Sequence, residues 1–141
     1  MLLYDEELYD GIKDICLTCW VDVLNVYYGI PRIEITTYPH VVIRLASVPS
    51  EAIIGTIEQV YTFEIIYRGE WSTASTFNIE LAKIARANEF IAALTQSTTL
   101  ATYGLMPTVT DVDFIEADDP NEPYYEVVLT LAVVVHSEYG A

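Results

Sequence analysis

Basic residues are scarce in this chain of 141 residues. Six lysines and arginines stand against 21 aspartates and glutamates, so the formal net charge is −15. The basic residues are spaced singly along the chain, at Lys13, Arg32, Arg44, Arg68, Lys83 and Arg86. A protein that grips a phosphate backbone needs clustered lysine and arginine side chains. The composition therefore argues against nucleic-acid binding through phosphate contacts.

Long hydrophobic runs and cysteines are also few. No stretch reaches the roughly 18 consecutive apolar residues that a membrane helix requires. The start, MLLYDEEL, has acids where a signal peptide has basic residues. Two cysteines in a chain of this length do not make a disulfide framework. We therefore expect a soluble protein that is not secreted, with a single domain over residues 1–141.

Sequence motifs for catalysis are missing too. There is no nucleophile elbow and no phosphate-binding glycine loop. The CxxC motif from Cys16 to Cys19 lies on the apolar stripe of a predicted helix, which favours core packing over redox chemistry. A zinc site needs further ligands, and the only histidines, His40 and His136, lie within separate predicted strands. We expect no catalytic residue, no cofactor and no metal, and hence no enzyme.

An acidic segment, DVDFIEADDPNE, spans residues 111–122. It lacks the glycine and the final bidentate glutamate of a helix-loop-helix calcium loop. The segment is more typical of a solvated hairpin tip. Weak cation binding at a subunit boundary is the alternative.

The spacing of apolar residues predicts two helices and four strands. The helices cover residues 5–27 and 75–96, because apolar residues recur there three and four positions apart. Their apolar stripes are Leu8, Ile12, Ile15, Cys16, Cys19, Val23 and Tyr27 in the first helix, and Phe77, Leu81, Ile84, Ile91 and Leu94 in the second. The strands cover residues 38–47, 57–68, 108–116 and 124–136, and residues 48–55 form a loop. The order α-β-β-α-β-β predicts an α+β two-layer sandwich, in which two helices cover one face of a mainly antiparallel four-stranded sheet.

The last strand is apolar on both faces, which raises the question of what covers the second one. Side chains alternate between the faces of a strand. On the face away from the helices, this places Val60, Ile66, Val128, Ala132 and Val134. An apolar sheet face of this size is usually an interaction surface. We expect these residues to meet water in a monomer and to be covered by another subunit. The alternative cover is residues 97–107 or other loops of the same chain.

The order of elements resembles that of the tail terminator (tail completion) proteins of long-tailed bacteriophages. The shared features are a first helix, a strand reading YPHVVIRL, a long second strand, a helix, and a closing hairpin, here DVDFIEADDPNEPYYEVVLTLAVVVHSE. The resemblance covers nearly the whole chain and rests on size and element order. The family has no catalytic motif to carry over. This sequence departs from the family in its CxxC motif and in its richness in valine, isoleucine and tyrosine.

The resemblance implies a structural virion protein, made in the host cytoplasm and placed at the head-proximal end of the tail. Terminators form sixfold rings through heterologous contacts, stop tube growth and meet the neck. The implied partners are further copies, the tail tube protein and the neck or head–tail connector protein. DNA would pass an acidic channel without specific binding, and no membrane is involved. Ring or tube contacts are expected at residues 48–55 and at the hairpin tip, Asp118, Asp119, Asn121 and Glu122.

Three other classes remain open. A head-closure, neck or tube protein would share the structural role. An acidic DNA mimic that inhibits a DNA-binding enzyme would suit the charge of −15. The acids, however, cluster at the start of the first helix and at the hairpin tip, whereas a mimic needs them along one exposed face. A small enzyme of unknown type is the third class.

Overall fold

A computed structural model describes residues 5–29, 37–47, 50–53, 56–70, 79–96, 106–116 and 124–138. These residues form two helices and six strands. In chain order they are α1 (Asp5–Cys19), β1 (Asn25–Tyr28), β2 (His40–Ser47), β3 (Ser50–Ile53), β4 (Thr56–Glu70), α2 (Ile79–Gln96), β5 (Met106–Glu116) and β6 (Tyr124–Glu138).

The strands form one mixed sheet in the order β1-β2-β4-β6-β5, and β3 pairs with the beginning of β4. The β1–β2 pair is parallel and every other pair is antiparallel. Both helices pack on one face of this sheet. The predicted α+β class is therefore confirmed. The predicted four-stranded antiparallel sheet is wrong in detail, because β1 and β3 were not foreseen.

The first helix is shorter than predicted. It ends at Cys19, and residues 25–28 form β1, which pairs in parallel with β2 from His40 to Ile43. The helical spacing of apolar residues continues through Val23 and Tyr27, so the sequence gives no sign that the helix ends at Cys19 and a strand begins at Asn25. β-branched valines are stiff and favour extended backbone. Gly29, at φ +79°, follows the last residue of β1, and its N–H donates to the Ile43 carbonyl.

The predicted loop over residues 48–55 contains a strand. Ser50–Ile53 pairs with Thr56 to Gln59 of β4, so the loop prediction is wrong for these four residues. Four residues carry too short a pattern to separate a strand from a loop. The remaining positions, 48–49 and 54–55, lie outside the described residues.

The core lies between the helices and the first face of the sheet. The inward residues of β4 are Tyr61, Phe63, Ile65 and Tyr67, and those of β6 are Tyr125, Val127, Leu129, Leu131 and Val133. From α1, Leu8, Ile12, Ile15 and Cys16 are buried as predicted. Trp20 is fully buried just after α1, stacks on Phe90 of α2 at 5.5 Å, and donates from Nε1 to the Arg86 carbonyl at 3.1 Å. Trp20 therefore ties the end of α1 to α2.

The second helix is only partly oriented as its sequence predicted. Leu94 of the predicted stripe is buried, whereas Leu81, Ile84 and Ile91 are 65%, 44% and 37% exposed. The other buried residues of α2 are Lys83, Ala87 and Phe90. Phe77, also predicted in the stripe, lies outside the described residues. The helix carries two apolar stripes, and only one can face the sheet. The stripe with Phe90 faces the sheet because the Phe90 ring stacks on Trp20.

Candidate functional site

The face of the sheet opposite the helices, here called the second face, is built from aligned rows. Three successive rows cross β2, β4 and β6: His40–Arg68–Glu126, Val42–Ile66–Val128 and Arg44–Glu64–Thr130. The next two rows on β4 and β6 are Thr62–Ala132 and Val60–Val134. All five residues predicted for a subunit interface on this face are therefore neighbours on β4 and β6.

Two ion pairs border the apolar middle row. Arg68 Nε donates to Glu126 Oε1 at 2.9 Å, and Arg44 Nη2 lies 2.7 Å from Glu64 Oε1. Arginine stems can cover apolar neighbours while their charged heads stay in water. Tyr27 of β1 packs against the same row. The row is accordingly closed within one chain: Val42, Ile66 and Val128 are 0%, 9% and 8% exposed.

The expectation that all five apolar residues of this face meet water in a monomer is thus wrong for Ile66 and Val128. Tyr27 of the unforeseen strand β1 packs against their row, and the two ion pairs flank it. Val60, Ala132 and Val134 keep partial exposure. The open part of this face therefore centres on the Val60–Val134 pair, and its role as a subunit interface stays a prediction.

A buried histidine lies at one end of the second face. His40 is 0% exposed, and its Nδ1 lies 2.8 Å from the Thr37 carbonyl oxygen. A carbonyl only accepts, so Nδ1 carries the proton and Nε2 presents a lone pair. Nε2 is buried and has no hydrogen-bond partner among the described residues. Burial, together with the nearby charge of Arg68, lowers the pKa of His40 below its ordinary value, although the Thr37 carbonyl and Glu126 act the other way.

Aromatic rings surround this histidine and its row. Tyr27 and Tyr38 lie 5.9 Å and 5.1 Å from the His40 ring, and Tyr38 stacks on Tyr124 at 5.5 Å. The Arg68 guanidinium lies 5.6 Å from the centre of the Tyr124 ring. This cluster packs at the end of the sheet where His40, Arg68 and Glu126 form one row.

The CxxC motif packs in the core. Cys16 is fully buried, and Cys19 is half-buried at the last position of α1. Burial, with the neighbouring Cys19, raises the pKa of the Cys16 thiol well above its ordinary value. Burial and the charge of Glu89 raise the pKa of Cys19 to about 12. Thiolates are the reactive and metal-binding form, so these pKa values favour the packing interpretation.

Several predicted features lie beyond what the structure describes. The hairpin tip, Asp118, Asp119, Asn121 and Glu122, and the alternative cover over residues 97–105 are among them. Within the described ranges, no three His, Cys, Asp or Glu side chains come together as a metal site. Neither helix in these ranges has the length and apolar character to cross a membrane.

The sequence reasoning missed two groups of exposed large hydrophobic residues. The first group lies on α1, β1 and the turn between them: Leu17, Val21, Leu24 and Tyr28, exposed by 37%, 84%, 80% and 47%. The second group lies on α2 and β5: Leu81, Ile84, Ile91, Phe114 and Ile115, exposed by 37–65%. Phe114 pairs with Val127 on the helix side of the sheet and Ile115 pairs with Glu126 on the second face, so these two side chains point in opposite directions. These nine are the exposed large hydrophobic residues among those whose side chains the structure describes. For the three residues on α2, the second apolar stripe of that helix was the available signal.

A groove lies beside the exposed Ile91. It has a volume of about 520 Å³ and runs between the C-terminal half of α2 and β5. Its lining is Ile91, Leu94, Thr95, Pro107, Thr108, Val109, Thr110, Asp111 and Val112. A bulge at Thr110 shifts the pairing of β5 with β6, so that Val109 and Val112 both face the helix side.

No protein-family model matches this chain, and no curated protein matches it. The resemblance to tail terminators stays a prediction from element order.

Proposed function

We propose that this protein is a ring-forming structural subunit of a bacteriophage tail, the terminator at the head-proximal end of the tail tube. The observation that carries the proposal is a sheet with helices on one face and large apolar side chains exposed on α1, α2, β1 and β5. A single chain with a charge of −15 has no need of such exposed side chains for its own stability. The virion role comes from the resemblance, and the exposed surface supports the assembly that this role requires.

The distribution of charge supports a channel that DNA crosses without binding. Four of the six basic residues, Arg44, Arg68, Lys83 and Arg86, take part in ion pairs with glutamates of the same chain. Their charges are therefore compensated and poorly placed to hold phosphates. A ring of six copies would carry six times the net charge of −15. A lumen lined with part of that charge repels DNA.

The same ion pairs count against the DNA mimic. Glu64, Glu80, Glu89 and Glu126 are engaged with cations of the chain, which removes four carboxylates from any phosphate-like array. A tube subunit or neck protein fits the exposed apolar side chains as well as a terminator does. The form of the assembly distinguishes these classes, since a tube subunit grows without limit and a terminator closes.

The test is native mass spectrometry with negative-stain imaging of the purified chain, over a series of protein and salt concentrations. We expect closed rings of six copies with a central channel. When added to purified tail tube subunits, the rings should limit tube length. Filaments of unlimited length would identify a tube subunit instead. A chain that neither closes into rings nor affects tube growth, but inhibits a nuclease, would replace the proposal with the mimic.

A further inference from the structure

We propose that the outer edge of β5 binds an extended segment of another protein as an added strand, and that this segment alternates apolar with basic side chains. The inference does not depend on the proposed function, because it concerns how one edge of a single chain recognises a partner and not how copies form a ring. It is supported by the position of β5, its register with β6, the apolar side chains of α2 beside it and its charge.

β5 forms one border of the sheet. It pairs with β6 alone among the described strands, so its other side has no strand partner in the described part of the chain. An edge strand presents a row of N–H and C=O groups to which a further strand can bond. Pro107 and the bulge at Thr110 interrupt the first half of this edge, because proline has no N–H and a bulge bends the strand. From Asp111 to Glu116 the register with β6 is continuous, over a length typical of one strand, about 5–6 residues. The added strand is therefore expected along this second half of β5.

The helix side of the added strand would lie beside apolar side chains of α2. The Lys83 Nζ lies 5.9 Å from the centre of the Phe114 ring, and Ile91 lines the groove together with Val112, so α2 runs alongside the second half of β5. Ile84 lies two helical turns before Ile91 and shares its side of the helix. Phe114, Ile84 and Ile91 are 42%, 44% and 37% exposed. Apolar side chains of the added strand would cover these three residues, and the groove of about 520 Å³ extends the same space along the C-terminal half of α2.

The other side of the added strand would meet carboxylates. Asp111 and Asp113 lie on the second face, where they pair with Thr130 and Val128 of β6, and both aspartates are exposed. Among the described residues, no lysine or arginine forms an ion pair with either of them. Side chains directly opposite each other on neighbouring strands have Cβ atoms about 4.5–5.5 Å apart. Basic side chains at alternate positions of the added strand would therefore reach both carboxylates.

The same carboxylates disfavour a second copy of the chain at this edge. Two β5 strands placed side by side would bring the aspartates of both copies onto adjacent strands, and like charges in opposite positions destabilise a strand pair. Charged side chains on an edge strand are a common protection against self-association. A basic segment meets no such repulsion from a chain with a net charge of −15. The charge of this edge therefore favours a basic partner over another acidic chain.

Peptide binding to the full chain, at a concentration where it is monomeric, tests the inference. The probe is a short fluorescent peptide of alternating valine and lysine. The controls are a peptide of the same composition with its valines and lysines in two blocks, and an alternating valine–glutamate peptide. We expect the probe to bind at least about tenfold more tightly than the block peptide, and the glutamate peptide not to bind. Equal binding of the two lysine peptides would show a non-specific attraction to an acidic chain and would overturn the proposal, as would no binding of the probe.

Amide hydrogen exchange measured by NMR locates the bound peptide. The probe should slow the exchange of alternate amides from Asp111 to Ile115, because every second N–H of an edge strand points towards the added strand. Protection of these amides in the free chain would show that other residues of the same chain already cover the edge. Protection that appears only as the protein concentration rises would assign the edge to a second copy. Either result, or protection of a different segment by the probe, would overturn the proposal.

Matched substitutions test the charged and the apolar side separately. Asp113→Asn should weaken binding of the probe by about two- to fivefold. Asp14→Asn removes the same charge from an exposed position on α1 and should change the affinity little. Ile84→Ser should weaken binding by about threefold or more, whereas Leu17→Ser, at an exposed leucine of α1, should not. Equal losses within either pair of variants would overturn the proposal.

The outcomes for the peptide and for the ring are independent. Specific binding of the probe by a chain that never forms rings would support the strand-binding edge and refute the terminator role. Closed rings formed by a chain that does not bind the probe as a monomer would support the ring and refute the strand-binding edge.

Discussion

Two ion pairs on the second face allow a direct test of whether burial or distance decides their strength. Arg44–Glu64 is the shorter pair at 2.7 Å, but its side chains are 46% and 29% exposed. Arg68–Glu126 spans 2.9 Å, with exposures of 22% and 15%. We expect the longer, more buried pair to contribute more to the free energy of unfolding.

The magnitudes follow from the surroundings of each pair. An exposed ion pair contributes about 0.2–1 kcal/mol, because water screens it and its long side chains lose rotamer freedom. A hydrogen bond to a charged group that is largely shielded from water contributes about 1.5–3 kcal/mol. Arg68 also lies 5.6 Å from the centre of the Tyr124 ring. A cation–π contact of this kind adds about 0.5–1 kcal/mol. Replacing Arg68 removes this contribution as well, but it does not enter the coupling energy between Arg68 and Glu126.

The assay is a double-mutant cycle for each pair, measured by urea unfolding at a protein concentration where the chain is monomeric. One cycle uses Arg68→Met, Glu126→Gln and the double variant. The other uses Arg44→Met, Glu64→Gln and their combination. We expect a coupling energy of about 1.5–3 kcal/mol in the first cycle and below about 1 kcal/mol in the second. High salt should reduce the second and leave the first nearly unchanged.

Equal coupling energies in the two cycles, or a larger one for Arg44–Glu64, would refute the reasoning. The distance between the charged atoms would then predict the coupling energy of an ion pair better than burial does. The low exposure of the middle row would not mean that water is excluded from the neighbouring ion pairs. The closure of Val42, Ile66 and Val128 within one chain would lose its physical explanation.

Three further predictions concern single positions. A Cβ at Gly69 would lie 2.5 Å from Cζ of the buried Tyr125 ring, so Gly69→Ala should lower the free energy of unfolding by about 1–3 kcal/mol. Replacing the neighbouring ring in Tyr125→Leu should make this loss smaller. Additive effects of the two substitutions would contradict the predicted clash. The pKa of His40 is lowered by burial, so below about pH 6.5 the unfolded chain takes up the proton more readily than the folded one. Stability should fall as pH drops through that value, and the urea midpoint of His40→Phe should lack this slope; equal slopes would exclude His40 as its source. Burial raises the pKa of both thiols, so in the folded chain at pH 8 a thiol reagent should label Cys19 slowly and Cys16 more slowly still. In urea both thiols should react at once. Rapid labelling of Cys16 without urea would contradict its burial.

The α+β class could be predicted from the sequence because the strong local patterns agree with the tertiary structure. The first half of α1 has a single apolar stripe, and Leu8, Ile12, Ile15 and Cys16 are buried accordingly. The end of that helix could not be predicted, since the spacing of Val23 and Tyr27 suits a helix as well as it suits a turn followed by β1. The partner strand that decides between them, β2, lies farther along the chain.

The exposed surfaces were harder to predict than the fold. Alternation placed Val60, Ile66, Val128, Ala132 and Val134 on one face, and the register agrees. Alternation cannot show that Arg68 and Glu126 meet across two strands and help to close the middle row. On α2, the apolar period indicated the stripe with Leu81, Ile84 and Ile91, and it could not show that Phe90 would meet Trp20. The exposure of these three residues depends on that contact, and so it emerged only from the packing.

The last strand of the chain lies inside the sheet, between β4 and β5. Thr56 pairs with Glu138 and Glu70 pairs with Tyr124, across all of α2 and β5. During synthesis, β2 and β4 can pair while β6 is still missing, so the nascent chain holds an open edge of β4 until β6 has been made. Pairing between such distant segments is slow. A ribosome that stalls or terminates before β6 would release a sheet lacking an interior strand, and such a product is prone to aggregate before any ring can form.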